Sequence, residues 1–195
     1  MTSVSTLREV CEWLERNVSP KIRLKRPDNS IQDENYGYIE VNPSVYPLYM
    51  PTQDKNTTAS AVPCICVWPK TISTVGYTTT LELELAHICW NVGLHSNEIW
   101  TPTGDGVHYT RPKDGLPSEE FSLYEETWYD MMNFADITRN AIIANNGMAC
   151  LELRQTEPIT QRIETQDIAD NYGVWVTVLS AVFDTYPSVR KQRLK

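Results

Sequence analysis

The chain lacks any apolar run approaching the roughly 20 residues that cross a bilayer as a helix, and its first residues lack a basic stretch followed by an apolar core and a cleavage site. Neither a membrane span nor an export leader is expected. Positive charge is also scarce: 17 Lys and Arg stand against 25 Asp and Glu, for a net charge of −8. Gripping nucleic acid by neutralising its phosphates needs clustered basic side chains, so tight DNA binding is disfavoured. An acidic wall still lets a polyanion pass without sticking. Phosphate-cradling signatures of the form G-x-x-x-x-G-K-[ST] and G-x-G-x-x-G are missing, and Gly104-Asp105-Gly106 reads as a turn. So is the G-x-S-x-G elbow of serine hydrolases. Only three histidines occur, His87, His95 and His108, and they form no H-x-x-x-H or H-E-x-x-H pair. The five cysteines, Cys11, Cys64, Cys66, Cys89 and Cys150, are odd in number and fall in segments patterned as helix or strand. That distribution fits a reducing cytoplasm better than a disulfide framework.

What is present suits one globular domain. The 195 residues are 41% apolar and 22% charged, enough to bury a core without staples. Thr6 and Glu9 form a capping-box pair ahead of Leu7, Val10, Cys11, Leu14 and Val18 at helical spacing, which predicts a first amphipathic helix ending before Pro20. Lys21–Arg26 alternates as a short strand, with Ile22 and Leu24 inward and Lys21, Arg23 and Lys25 outward. Residues 27–61 read as a long excursion, with a strand at Tyr36–Val41 and an aromatic knot at Tyr46, Pro47 and Tyr49. Val62–Trp68 is apolar on both parities, as a strand covered on two faces should be. Thr78–Trp90 alternates, Leu81, Leu83 and Leu85 facing the core and Thr80, Glu82 and Glu84 facing out, until both parities turn apolar at Ala86–Trp90.

A second excursion, residues 91–117, is punctuated by Pro102, Gly104, Gly106, Pro112, Gly115 and Pro117. A long helix is then expected from Ser118 to the stop at Asn146 and Gly147, its apolar stripe being Tyr124, Trp128, Met131, Ala135, Thr138 and Ile142. Ala149–Gln155 and Tyr172–Phe183 read as strands, separated by a polar connector, and residues 188–195 as a basic tail. The fold class is therefore α/β of the α+β kind. A mixed, largely antiparallel sheet is flanked by an N-terminal helix and one long helix, with two long loop excursions in a single domain over residues 1–195.

Candidate sites are few. Cys64 and Cys66 put two thiols on one strand face, half of a zinc site, but no second pair follows at the required distance and they pack as small hydrophobes. His87 shares parity with Leu85 and Cys89, the position of a hydrogen-bonded histidine in the core or at an interface. The carboxylates of the long helix read as a solvated face. More telling are the aromatics in the excursions, Tyr46, Tyr49, Trp100 and Tyr109, with His108 and Arg111 beside the last. Trp and Tyr dominate interface hot spots, so these six residues are the candidate subunit and partner interface. Packing of the loops onto their own domain is the competing account. No catalytic residue, cofactor or metal is expected.

Three stretches carry a family likeness: AVPCICVWPK before LELELAHICWNVG, YDMMNFADITRNAII followed by NNGMACLELRQTEPI, and the closing YGVWVTVLSAVFDTYP. In this order, after a first helix, they resemble the tail terminator, or tail completion, proteins of long-tailed bacteriophages. The likeness covers roughly residues 61–187 and rests on pattern and order. It implies a mixed sheet with flanking helices and a homo-oligomer, a hexameric ring, that caps the tail tube protein and docks the neck or connector protein. DNA would pass its lumen without specific binding, no membrane would be involved, and the protein would reside in the virion after assembly in the bacterial cytoplasm. A head-completion or connector subunit is the alternative within assembly proteins. A small hydrolase or nucleotide-binding enzyme using His87 or His108 is the rival from another class.

Overall fold

A computed structural model describes residues 3–27, 38–48, 61–76, 78–90, 100–103, 106–113, 116–121, 123–164 and 174–185, with side chains described outside residues 100–126 and a few segment ends. The element order begins with helix α1 (Ser3–Asn17), a 3-10 turn (Ser19–Lys21), β1 (Leu24–Pro27), β2 (Tyr38–Val41), β3 (Ser44–Pro47), β4 (Cys64–Val75) and β5 (Thr78–Trp90). There follow β6 (Trp100–Thr103), β7 (Gly106–Lys113), β8 (Leu116–Phe121), helix α2 (Leu123–Ala144), β9 (Gly147–Met148), β10 (Leu151–Leu153), β11 (Thr160–Ile163) and β12 (Val174–Thr185). The fold is α+β, with the mostly antiparallel sheet and two helices that the patterning implies.

The central sheet has seven strands in the order β3-β4-β5-β12-β10-β9, with β11 pairing β12 on the same side as β10. Among the described residues, only β3 against β4 is parallel. Strand β5 pairs with β12 over its whole usable length, from Trp90 opposite Val174 to Thr79 opposite Thr185. Both helices lie on one face. The α1 stripe of Leu7, Val10, Cys11, Leu14 and Val18 is buried as its spacing requires, and Met131, Ala135, Thr138 and Ile142 of α2 are buried with it. They meet Ile65 and Val67 of β4, Leu81, Leu83 and Leu85 of β5, and Leu179 and Phe183 of β12 in the principal core.

Alternation then sends Val62, Cys64, Cys66, Ala86 and Val178 to the other face, where they form a second, smaller apolar cluster with Tyr46, Trp68, Ile88, Trp90, Val174 and Val176 around it. Strands apolar on both parities therefore separate into two faces.

Several expectations are corrected. Residues 91–117 are not all loop: β6, β7 and β8 form a three-stranded antiparallel sheet, with Trp100 opposite Tyr109 and Tyr109 opposite Phe121. Its prolines sit where sheets tolerate them, Pro102 and Pro117 in the outer strands β6 and β8, and Pro112 at the register irregularity between Arg111 and Lys113. The long helix begins at Leu123 rather than Ser118, because Glu119 and Glu120 are strand residues facing Arg111 and Thr110 across the ladder. An N-cap-like serine before two acids is a local signal, and the strand pairing overrides it.

The strand expected over Lys21–Arg26 is displaced to Leu24–Pro27 behind the 3-10 turn, and it pairs with β2 in a separate two-stranded sheet. Lys25, read as outward, reaches Asp130 of α2 at 2.8 Å and is largely covered. The 27–61 excursion contributes β3 to the central sheet, and the polar connector contributes β11. The strand expected to stop at Trp68 runs on to Val75.

The stop at Asn146 and Gly147 is as the sequence signals. Asn146 has φ 51, and Gly147 has φ 143 with a would-be Cβ only 2.0 Å from the Leu151 carbonyl oxygen, so only glycine fits. Arg154 then clips the sheet end, its guanidinium donating to both Asp184 carboxylate oxygens at 2.5 and 3.1 Å and to Thr80 Oγ1 at 2.6 Å. These bonds hold the Asp184 carboxyl below its ordinary range, outweighing desolvation.

Candidate assembly surface

The helix-free face of the sheet is the first candidate surface. A groove of about 300 Å³ runs over Cys66, Ala86, Ile88, Val176 and Val178, with Leu48 and Trp68 on one side and Arg162 and Glu164 on the other. Its floor is the second apolar cluster, most of which is already buried within the protomer. Among the described residues, neither helix packs on this face.

Beside the groove sits a carboxylate that alternation placed in solvent. Glu84 is only 7% exposed. Trp68 Nε1 donates to Glu84 Oε2 at 3.0 Å and Ser180 Oγ to Oε1 at 3.4 Å, while Lys70 and Arg162 bring cationic nitrogens to 3.6 Å of Oε1. A carboxylate removed from water needs such partners, and here three strands supply them. Parity correctly gave the face of Glu84; the indole and the two long cationic side chains that cover it come from β4 and β11, which a single-strand pattern does not register.

His87 lies on the opposite face, fully buried against Phe134 with ring centroids 4.8 Å apart, edge to face. Its Nδ1 is 3.1 Å from the Leu85 carbonyl and its Nε2 is 2.8 Å from Thr138 Oγ1. A carbonyl only accepts, so Nδ1 carries the proton and the Thr138 hydroxyl donates to Nε2 in the neutral ring. The alternative contact of Thr138 to the Phe134 carbonyl at 3.1 Å competes for that same hydroxyl proton. Burial drives the ring pKa down to about 3, against the opposing hydrogen bonds to Leu85 and Thr177. The expectation of a hydrogen-bonded histidine is thereby met in its core form.

Four thiols are likewise held protonated. Burial lifts Cys11 to about 11, and Cys150 to about 11 with help from a hydrogen bond to Glu9. Cys64 is pushed up by its hydrogen bond to Cys66 and by burial, and Cys89 by burial. Among the described residues, no group of three or more His, Cys, Asp or Glu is arranged to hold a metal ion.

Of the six expected interface residues, Tyr46 is in β3 opposite Cys66, half-buried against the second cluster, so it packs on its own domain. Tyr49 lies outside the described residues. Trp100, His108, Tyr109 and Arg111 are placed in β6 and β7 by backbone alone: Trp100 and Tyr109 are register partners, and Arg111 faces Glu119, while their side chains lie outside the described residues.

Val4, Ile39, Leu48, Tyr129 and Ile143 are exposed elsewhere; exposed large apolar side chains along the sheet edges that patterning does not single out include Ile72 and Val75 in β4 and Ile163 in β11. Their signal is β-branched residues outlasting the apolar run. No family model matches the chain, and no curated protein matches it either.

Proposed function

We propose that this chain is a structural virion protein, a tail terminator whose copies close into a ring on the finished tail tube and offer a docking surface to the head-side connector. The likeness of element order to that family supplies the hexameric count and the partners. The observation that carries the reading is the two-faced sheet: both helices cover one side, the other presents an apolar groove, and the sheet's edges bear exposed isoleucine and valine. Sheets with apolar residues on both sides need a cover on both, and neighbouring subunits can provide it. A net charge of −8 suits a channel that passes DNA without gripping it.

The test is labelling of the chain in purified headless tails. Label at the head-proximal tip of such tails is the expected result. Label found only on particles that carry heads would make the chain a neck or head-completion subunit instead, and its absence from tails and particles alike would overturn the assembly reading.

A further inference from the structure

The central sheet carries an open edge on each side. On one side, β3 covers only Cys64–Val67 of β4. The chain then leaves that edge at Leu48, whose φ is 72, and Lys70 has no partner in the β4–β5 ladder because the register shifts there. From Thr71 to Val75 every residue is exposed, Ile72 by 48% and Val75 by 82%, and among the described residues no strand pairs with the outer side. This run, Thr-Ile-Ser-Thr-Val, is mostly β-branched and has none of the charges, prolines or glycines that blunt an edge. On the other side β11 pairs only with β12 among the described residues, and Ile163 is 46% exposed.

Polarity and facing make these two edges complementary. Strands β4 and β5, β5 and β12, and β12 and β11 are each antiparallel, so β11 and β4 run in opposite directions. A copy brought alongside by rotation about an axis parallel to the sheet and oblique to its strands thus presents β11 antiparallel to its neighbour's β4. Ile163 stands opposite Thr177 and Ile72 opposite Leu81, which places both isoleucines on the helix-bearing face. Directly opposed residues in an antiparallel pair share a face.

We infer that β11 of one copy adds to the free edge of β4 in the next, with Ile163 opposite Ile72, Arg162 opposite Ser73, Gln161 opposite Thr74 and Thr160 opposite Val75. The inference deepens the ring proposed above and rests on it. The occupant is a second copy because the same chain carries both edges, on opposite sides of one sheet, with matching length, polarity and apolar partner. Such a contact is head-to-tail, and only rotational closure keeps it from growing into a filament.

The geometry sets the inclination of the strands. Ile163 is level with Thr177 and Ile72 with Phe183, six positions further along β12. That offset is about 20 Å at ~3.3 Å per residue, over a repeat of four strands about 19 Å wide. Closure without axial rise therefore inclines the strands by about 45° to the ring axis, close to the tilt of closed barrels. One four-residue ladder buries well under the roughly 1,200 Å² of a stable interface, so two copies hold weakly and ring closure supplies the remainder.

The experiment is disulfide trapping in a Cys150→Ser background, with Ile72→Cys and Ile163→Cys introduced singly and together, and wild-type mass followed by light scattering across concentration. The other native thiols are buried and poor competitors. Circular dichroism melts check that each variant folds. The double variant is expected to yield a ladder of covalent oligomers ending at the ring, while each single variant stays monomeric on a denaturing gel. Ile72→Lys, which charges the edge without entering the core, is expected to leave only monomer at concentrations where wild type assembles.

Efficient dimers from Ile72→Cys alone would mean that the edge meets its own copy, and would overturn the inference. So would a wild-type ring in which the double variant cross-links no better than the singles, or a ring undisturbed by Ile72→Lys; both outcomes leave the terminator reading standing. A wild-type chain monomeric at every concentration overturns the pairing, and the tail-tip label then decides the terminator reading separately.

Discussion

Acid should unfold this protein through His87. The folded ring titrates at about 3 and an unfolded histidine near 6.5. Between those values the unfolded chain binds a proton that the folded chain refuses, so stability falls as pH drops below about 6.5. The slope approaches 1.4 kcal/mol per pH unit, and integrating from pH 7 to pH 5 gives a loss of about 2 kcal/mol from this one group. Carried to pH 3 the loss is about 4 kcal/mol, close to the whole stability of a marginal domain.

The assay is urea unfolding followed by tryptophan fluorescence at pH 7 and pH 5, for wild type and His87→Leu. The leucine variant starts lower at pH 7, because it loses the bonds to Leu85 and Thr138, but it lacks the histidine's proton linkage. Between the two pH values wild type should therefore lose about 2 kcal/mol more than the variant. Carboxylates and the other histidines contribute equally to both and cancel. Parallel losses would refute the buried neutral ring and with it the hydrogen-bond assignment at Thr138.

The remaining predictions concern the backbone turn and the buried carboxylate. Gly147→Ala sets a Cβ against the Leu151 carbonyl at a φ that alanine avoids, and should cost about 2 to 4 kcal/mol, read as a drop in melting temperature. Glu84→Ala leaves the Trp68 indole nitrogen without its acceptor and takes from Lys70 and Arg162 the more distant of their two carboxylates, and should cost about 1 to 3 kcal/mol. Glu82→Ala, which removes a partner only of the half-exposed Lys70, should stay below about 1 kcal/mol in the same unfolding assay.

Sequence patterning read most clearly where one period runs unbroken. The α1 stripe from Leu7 to Val18 and the α2 stripe through Met131, Ala135, Thr138 and Ile142 are buried residue for residue, since a helix face needs only local spacing to be recognised. The split of Val62, Cys64 and Cys66 from Ile65 and Val67 was legible for the same reason. Illegible were β6, β7 and β8, whose prolines and glycines look like loop punctuation until pairing gives them edges and a bulge to occupy. The environment of Glu84 was also hidden, because its cover arrives from strands 16 and 78 residues away in sequence, at Trp68 and Arg162. Tyr46 read as a loop aromatic, yet its strand pairs in parallel with one beginning 17 residues beyond Pro47, a contact that no local window contains.

The same limit of alternation explains why the exposed edge of β4 escapes sequence patterning. Through Trp68 the even positions of β4 belong to the helix-free face. Had that parity continued, Ile72 would stand opposite Thr80, on the same face as Glu82 and Glu84. Because Lys70 is left out of the ladder, every later residue changes sides, and Ile72 comes to stand opposite Leu81 on the helix-bearing face. There it remains exposed, on the same face as the exposed Ile163 across the sheet. A single unpaired residue therefore decides which face of the edge is apolar. The match between the two isoleucines follows from that bulge rather than from the alternation of the sequence.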